Sequence, residues 1–241
     1  MRGWGRCLIS GMTDLLYPRR CPVCHGLTPR GRMICPECLG RLPVIEGRRC
    51  AKCGKPAAAR QVLCDDCVST KHLFAQGAGV FLYDDVMRKT VSCFKYRGRR
   101  EYGPVLGSLM LQSTRGLIAA WKPDIIMPVP LHPKRLAGRG FNQAELLAEP
   151  LARGCGIPLE SGILYRRTDT AAQKTLGRQE RRRNLEGAFA CRDVPLPERI
   201  LLVDDIYTTG STVDACAAVL LAKGASRIFF LTLCTGGALP S

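Results

Sequence analysis

The amino-acid sequence predicts an α/β protein: a mainly parallel sheet with flanking helices, preceded by a small metal-stapled domain. Three observations predict it. From about residue 77 onward, short apolar runs alternate with longer amphipathic segments, as strands joined by helices do. Eight of the 14 cysteines lie between residues 21 and 67, all in Cys-x-x-Cys pairs. One apolar run, Ile200 to Val203, leads through two carboxylates and a hydroxyl-rich turn into a helical pattern.

A chain of 241 residues has room for one mid-sized domain and a small one. It is 46% apolar and 23% charged, a globular composition. The net charge of +16 favours polyanionic partners: phosphorylated sugars, nucleic acid or anionic lipid. The plainer account of each basic run is a solvated face. Residues 4–17 read as a short amphipathic helix ended by Pro18, which makes 1–20 an N-terminal helical segment. Asp14 interrupts its apolar residues, so a signal peptide is not expected, nor is a membrane span anywhere. The expected location is cytoplasmic, where this many cysteines argue for metal or thiolate chemistry over disulfides.

The pairs are Cys21/Cys24, Cys35/Cys38, Cys50/Cys53 and Cys64/Cys67, two tandem copies of Cys-x2-Cys-x10-Cys-x2-Cys. Zinc takes four ligands in a tetrahedron, and a two-residue gap lets two thiolates reach one ion from a tight turn. The expectation is a double zinc ribbon over residues 21–70. Cys21, Cys24, Cys35 and Cys38 would hold one structural Zn2+, and Cys50, Cys53, Cys64 and Cys67 the other. Spacing leaves an interleaved assignment open, and an iron–sulfur cluster is the alternative metal. So short a segment buries too little apolar surface to fold alone, so the metals would supply its folding free energy. Two dications on eight thiolates would lower the net charge to roughly +12. His25 reads as a solvated neighbour of Cys24. The scattered cysteines (Cys7, Cys93, Cys155, Cys191, Cys216, Cys234) read as small buried hydrophobes.

Residues 77–83 read as the first strand of the second domain, 77–241. Helices follow at 85–96 and 102–121, the latter with Val105, Leu109 and Leu117 on one side. A strand at 124–129 should end near Met127, because Pro128 and Pro130 cannot continue a central strand. A helix at 142–153 has Asn142 and Glu145 at the spacing of a cap and its reciprocal partner. Pro150 inside it should kink or end it, at roughly 3 kcal/mol. Residues 159–165 and 187–191 are further candidate strands around the arginine-rich 166–186. Strand 200–203, helix 211–223 and strand 227–234 complete the domain, with Gly224 just past the helix end.

Open parallel sheets bind ligands at the carboxyl ends of their strands, and the segment after Val203 leaves such an end. Asp204 and Asp205 come first, suited to accept from ribose hydroxyls. Thr208, Thr209, Gly210, Ser211 and Thr212 then run into a helix, whose N-terminal N–H groups attract an anion. Carboxylates for the sugar adjoin donors for its phosphate on one turn. A chance run of acids before a capped helix is the competing explanation.

This segment resembles the phosphoribosyl-pyrophosphate motif of type I phosphoribosyltransferases, and with the tandem ribbons the chain resembles the ComF family over nearly its whole length. Further matches are Phe94-Lys95-Tyr96-Arg97-Gly98, Pro128-Val129-Pro130-Leu131, Arg135, and Arg139-Gly140-Phe141-Asn142-Gln143, then Thr168, Gln173, Leu176, Arg181, Asn184 and Phe189. The resemblance implies a phosphoribosyltransferase-like fold that binds phosphoribosyl pyrophosphate with Mg2+. Asp204 and Asp205 would take the ribose hydroxyls, and Thr208 to Thr212 the 5-phosphate. The loop bearing Lys134 and Arg135 would face the pyrophosphate, with Arg139 a weaker candidate. The segment 166–186, with Lys174 and Arg181-Arg182-Arg183, would be a loop that closes over substrate. The reaction would be displacement at ribose C1 through an oxocarbenium-like state, without a covalent catalytic residue.

Family membership implies a place in natural competence. The second reading is therefore a non-catalytic adaptor of DNA uptake that binds single-stranded DNA or docks a competence helicase. The charge and the cluster Arg97 to Arg100 suit DNA, while the 6% aromatic content weakens a base-stacking platform. With the N-terminal cysteines committed to metal, glutamine-dependent amide transfer is not expected.

Overall fold

The computed structural model describes residues 19–29, 32–58, 60–168, 185 and 187–236. The expected helix at 4–17 and most of the expected closing loop, including Lys174 and Arg181 to Arg183, lie outside them. Each ribbon contributes one short helix, α1 (Pro36–Leu39) and α2 (Asp65–Ser69). Then come β1 (Gln76–Leu82), α3 (Asp85–Tyr96), α4 (Tyr102–Trp121), β2 (Ile125–Pro128), α5 (Pro133–Arg139) and α6 (Gln143–Cys155). The chain ends with β3 (Leu164–Arg166), β4 (Phe189–Cys191), β5 (Arg199–Tyr207), α7 (Ser211–Ala222) and β6 (Arg227–Thr235). The sheet is four-stranded and parallel, in the order β1-β6-β5-β2. The expected strands at 159–165 and 187–191 are not among its four strands, although Leu159 makes one parallel bridge to Ile126 of β2. Their cores, β3 and β4, pair antiparallel with each other.

Two cores sandwich the sheet. Leu201 and Val203 face α3, α4 and α6, together with Phe94, Leu106 and Leu147. Ile200 and Leu202 face α7 and the second ribbon, joining Val213, Leu220, Phe74, Cys50, Cys53 and Cys64. The unbroken apolar run Ile200 to Val203 within β5 is what burial on both faces requires.

Three expectations are corrected here. Pro128 stays within β2, paired with Val203, because β2 is an edge strand where a missing N–H costs no ladder bond. The core face of α4 is Tyr102, Leu106, Met110, Ile118 and Trp121, not the Val105 stripe. Val105 and Leu109 instead pack on Cys21, Ile34 and Cys38 of the first ribbon, and Leu117 is exposed. Helix α6 does not end at Pro150 but runs to Cys155, with Asn142 capping it through Oδ1 to the Ala144 N–H.

Pro150 is accommodated because α4 presents Gly107 to it. A β-carbon at Gly107 would lie 2.6 Å from the Leu147 carbonyl oxygen and 2.8 Å from Pro150 Cγ. Gly116 in the same helix has nothing within 4 Å of that position. Gly107→Ala is therefore expected to lose about 1–3 kcal/mol by overpacking. Gly116→Ala should gain about 0.5–1 kcal/mol from helix propensity. Urea denaturation of the two variants checks the opposite signs.

The ribbons cover the open edge of β1. The Ile45 N–H donates to the Val80 carbonyl at 3.1 Å, the Leu82 N–H to Pro43 at 2.8 Å, and the Gly77 N–H to Lys52 at 2.9 Å. This blunts an edge that would otherwise template pairing with another chain.

Candidate functional site

In each ribbon the four sulfurs lie within 4.8 Å of one another, Cys21, Cys24, Cys35 and Cys38 in one, Cys50, Cys53, Cys64 and Cys67 in the other. The pairing is sequential, which settles the alternative that spacing left open. Sulfur separations of 3.7 Å (Cys24–Cys35), 3.8 Å (Cys21–Cys35) and 3.6 Å (Cys53–Cys64) fit a zinc tetrahedron. Its edge is about 3.8 Å for a Zn–S bond of about 2.3 Å. The two copies also match in electrostatics. Burial opposes the thiolate of Cys21 and of Cys50, yet surrounding backbone N–H groups bring each down to about 7.

His25 is not merely solvated. It takes the left-handed position (φ 63°) that Gly54 takes in the second copy (φ 71°), each closing its turn by donating its N–H to Cys21 or Cys50. The ring bridges to the second domain, with Nδ1 3.0 Å from Tyr102 Oη and Nε2 3.1 Å from Cys93 Sγ. Of the scattered cysteines, Cys93, Cys216 and Cys234 are buried and Cys155 and Cys191 half-buried. Cys7 lies outside the described residues.

Asp204 and Asp205 lie inside strand β5, not on the turn after it. The parallel ladder with β6 continues through Asp204↔Thr232 to Tyr207↔Thr235, so backbone pairing carries both acids in extended form. Asp205 forms a buried ion pair with Lys95 of α3 and accepts from Gln143 Nε2 at 3.2 Å. Arg139 donates to Gln143 Oε1, and its guanidinium lies 5.2 Å from the Tyr96 ring centroid. Asp204 Oδ1 accepts the Asp205 N–H at 2.8 Å.

This environment separates the two carboxyls. Burial and the neighbouring Asp205 charge push Asp204 well above the ordinary carboxylate value. Burial acts the same way on Asp205, but the Lys95 charge and the hydrogen bonds to Lys95 and Gln143 outweigh it and hold Asp205 below that value.

Beyond Tyr207 the chain turns through Thr208 and Thr209 to Gly210, the residue before α7, in left-handed conformation (φ 79°, ψ −4°). No side chain caps this helix. The Asp214 N–H makes the first helical bond, to Gly210 at 2.8 Å, and the N–H groups of Ser211, Thr212 and Val213 have no intrahelical acceptor. Thr209 Oγ1 and Ser211 Oγ hydrogen-bond at 2.9 Å. The Gly236 N–H donates to Tyr207 at 2.7 Å and ties the turn to the end of β6. Free donors at a helix start, beside an acid pair at a strand end, can hold a phosphorylated polyol.

The remaining candidates fall unevenly. The segment bearing Lys134 and Arg135 is helix α5, capped by His132, not a loop. Lys134 is exposed and Arg135 half-buried. Arg139, the weaker candidate, is the one linked to the acids through Gln143. In the sequence Lys95 and Gln143 lie within runs that match the family but carry no role there, and His72 lies in no motif. No local signal pairs them with residues so distant in sequence.

A family model for the double zinc ribbon domain matches residues 12–68. The DNA utilization protein YhgH of Salmonella typhimurium is 35% identical over 188 residues, covering 77% of this chain and 83% of that protein. YhgH of Escherichia coli K12 is 32% identical, with 91% of this chain and 98% of that protein covered. Competence protein ComFC of Bacillus subtilis is 33% identical, with 79% of each covered. Identity at this level runs through both the ribbons and the parallel-sheet domain, and the chain belongs to the ComF family of competence and DNA utilization proteins.

Proposed function

We propose that Asp204, Asp205 and the turn from Thr208 to Thr212 bind phosphoribosyl pyrophosphate with Mg2+, and that the chain serves DNA uptake or use. The second half follows the names of its relatives, DNA utilization protein and competence protein. The observation that carries the first half is the continuity of β5, turn and α7, which sets a buried acid pair next to unsatisfied helix N–H groups. Asp204 and Asp205 would accept from the ribose hydroxyls, and the N–H and hydroxyl groups of the turn would hold the 5-phosphate. Arg139, with Arg135 nearby on α5, would answer the pyrophosphate charge. Magnesium, when bound, would neutralise the diphosphate and be held largely by substrate oxygens. The surrounding charges would favour an oxocarbenium-like sugar as pyrophosphate departs, which makes pentosyl transfer the reaction class.

Calorimetry with phosphoribosyl pyrophosphate and magnesium tests the binding. The intact protein is expected to bind, and Asp204→Asn with Asp205→Asn to lose affinity by about 100-fold or more, the worth of two hydrogen-bonded charged groups. Absence of binding by the intact protein sinks the reading.

The DNA-adaptor reading draws on an adjoining surface that shares Arg139. Tyr96 is 74% exposed beneath Arg139, with Arg97 and Arg100 exposed beside it. Single-stranded oligonucleotide binding through this face would weaken steeply with salt and survive the double Asp→Asn substitution. No binding at low salt removes it. Among the described residues no helix is long and apolar enough to cross a membrane.

A further inference from the structure

The segment between the second ribbon and β1 reaches the underside of the phosphate turn. His72 and Phe74 are buried although Leu73 between them is 45% exposed. His72 Nδ1 donates to Asp214 Oδ2 at 2.7 Å, and the Leu73 N–H donates to Asp214 Oδ1 at 2.8 Å. Both oxygens of Asp214 are thus engaged by the linker. Asp214 sits in the first turn of α7, and its own N–H is bonded to Gly210.

On the turn side, a β-carbon at Gly210 would fall 2.8 Å from His72 Cε1 and 2.9 Å from Tyr207 Oη. Only glycine leaves room there, so the turn rests directly on these two side chains. The His72 ring stacks on Phe74 with centroids 4.8 Å apart, and Phe74 meets Tyr207 and Phe230 edge-on. Cys50, Cys53 and Cys64 share that core. His72 Nε2 and Tyr207 Oη are buried without hydrogen-bond partners among the described residues. Orphaned buried polar atoms are costly and call for a reason beyond packing.

We propose that His72 and Asp214 are positioning residues, a clamp by which the seated second ribbon holds the phosphate turn in its 5-phosphate-binding geometry. The proposal rests on the phosphoribosyl reading above. It differs from mere docking of the ribbon, because charge-assisted hydrogen bonds fix direction as well as contact. Among the described residues no comparable link comes from the first ribbon, which docks through His25 and the Val105 stripe on the other face of the sheet.

The test is His72→Phe, which keeps the ring and its stacking but removes the donor to Asp214. Binding of ribose 5-phosphate and of magnesium pyrophosphate is measured separately on the full, zinc-loaded chain, alongside Tm. The clamp predicts that ribose 5-phosphate affinity falls about tenfold or more, the scale of a charge-assisted hydrogen bond, while pyrophosphate affinity holds. His72→Asn, whose amide can occupy the donor position, should keep affinity near wild type; a loss equal to that of phenylalanine counts against the clamp. Unchanged ribose 5-phosphate affinity in His72→Phe overturns it, as does equal weakening of both ligands in step with Tm, the mark of a purely structural role. A wild-type protein that binds neither ligand overturns the phosphoribosyl reading and the clamp with it.

Discussion

Replacing Lys95 with methionine destabilises the protein by roughly 3–5 kcal/mol at neutral pH, the cost of stranding one partner of a buried ion pair. Lys95 and Asp205 are both largely buried, and Asp205 has Gln143 as its other side-chain partner. The pH dependence identifies the cause. Burial alone would raise Asp205, but Lys95 holds it below its ordinary value in the folded state. Its contribution is therefore present above the unfolded value of about 4 and lost as pH falls through the lower folded one. Without Lys95, burial and the Asp204 charge dominate and the folded value rises above the unfolded one. The variant then loses stability as pH rises from about 4, so its deficit against wild type grows toward neutrality and shrinks in acid. Asp204, raised by burial and by Asp205, is stabilising below its unfolded value and loses that contribution as pH rises. Lys95 holds Asp204 down in part, so its removal raises Asp204 further and adds to the deficit that grows toward neutrality. Urea denaturation from pH 4 to 7 measures this. A deficit that does not vary with pH would mean that Lys95 acts only by packing, and failure of an added Asp205→Asn to recover stability would say the same.

Local signals in the sequence suffice for what local physics decides. The bounds of α3 and α4 follow from amphipathic period, with Asp84 capping α3 through Oδ1 to the Met87 N–H. The cysteine spacing likewise contains both metal sites. What sequence reading misses depends on partners far along the chain. Two adjacent aspartates read as the end of a strand because charged side chains are rare in strands. Pairing with Thr232 through Thr235 carries the strand past them. Pro128 reads as a strand breaker until β2 is known to be an edge. Helix α4 is apolar on two sides, and periodicity alone cannot say that one faces the sheet and the other the first ribbon. The candidate site divides in the same way. Its acids and turn form one contiguous run, whereas Lys95, Gln143 and His72 arrive from α3, α6 and the inter-domain linker, where only tertiary structure assigns them a partner.

Serine at Cys53 and serine at Cys24 should have unequal consequences, although the two ligands occupy equivalent positions in tandem copies. Each substitution removes one of four zinc ligands and forfeits much of a binding free energy that, for structural zinc in small domains, is about 10–16 kcal/mol. What differs is what each ribbon covers. Cys53 is fully buried and shares a core with Phe74, Tyr207, Leu202 and Phe230, so collapse of the second ribbon uncovers one face of the sheet. It also frees the β1 edge that the Gly77 N–H closes by donating to Lys52. Cys24 is exposed, and among the described residues the first ribbon's core meets the second domain through Val105 and Leu109 and through the bridge from His25. Cys24→Ser should therefore release one zinc and leave the main thermal transition within a few degrees of wild type. Cys53→Ser should lower that transition by on the order of 10 °C or more, since each kcal/mol is worth about 2–4 °C in a chain of this size. Metal content by mass spectrometry, read beside the melting curve, separates the two. Equal shifts, or a larger one for Cys24→Ser, would mean that the sheet does not depend on the second ribbon for its cover, and the core shared by Cys53, Phe74 and Tyr207 would lose its claim to support the turn before α7.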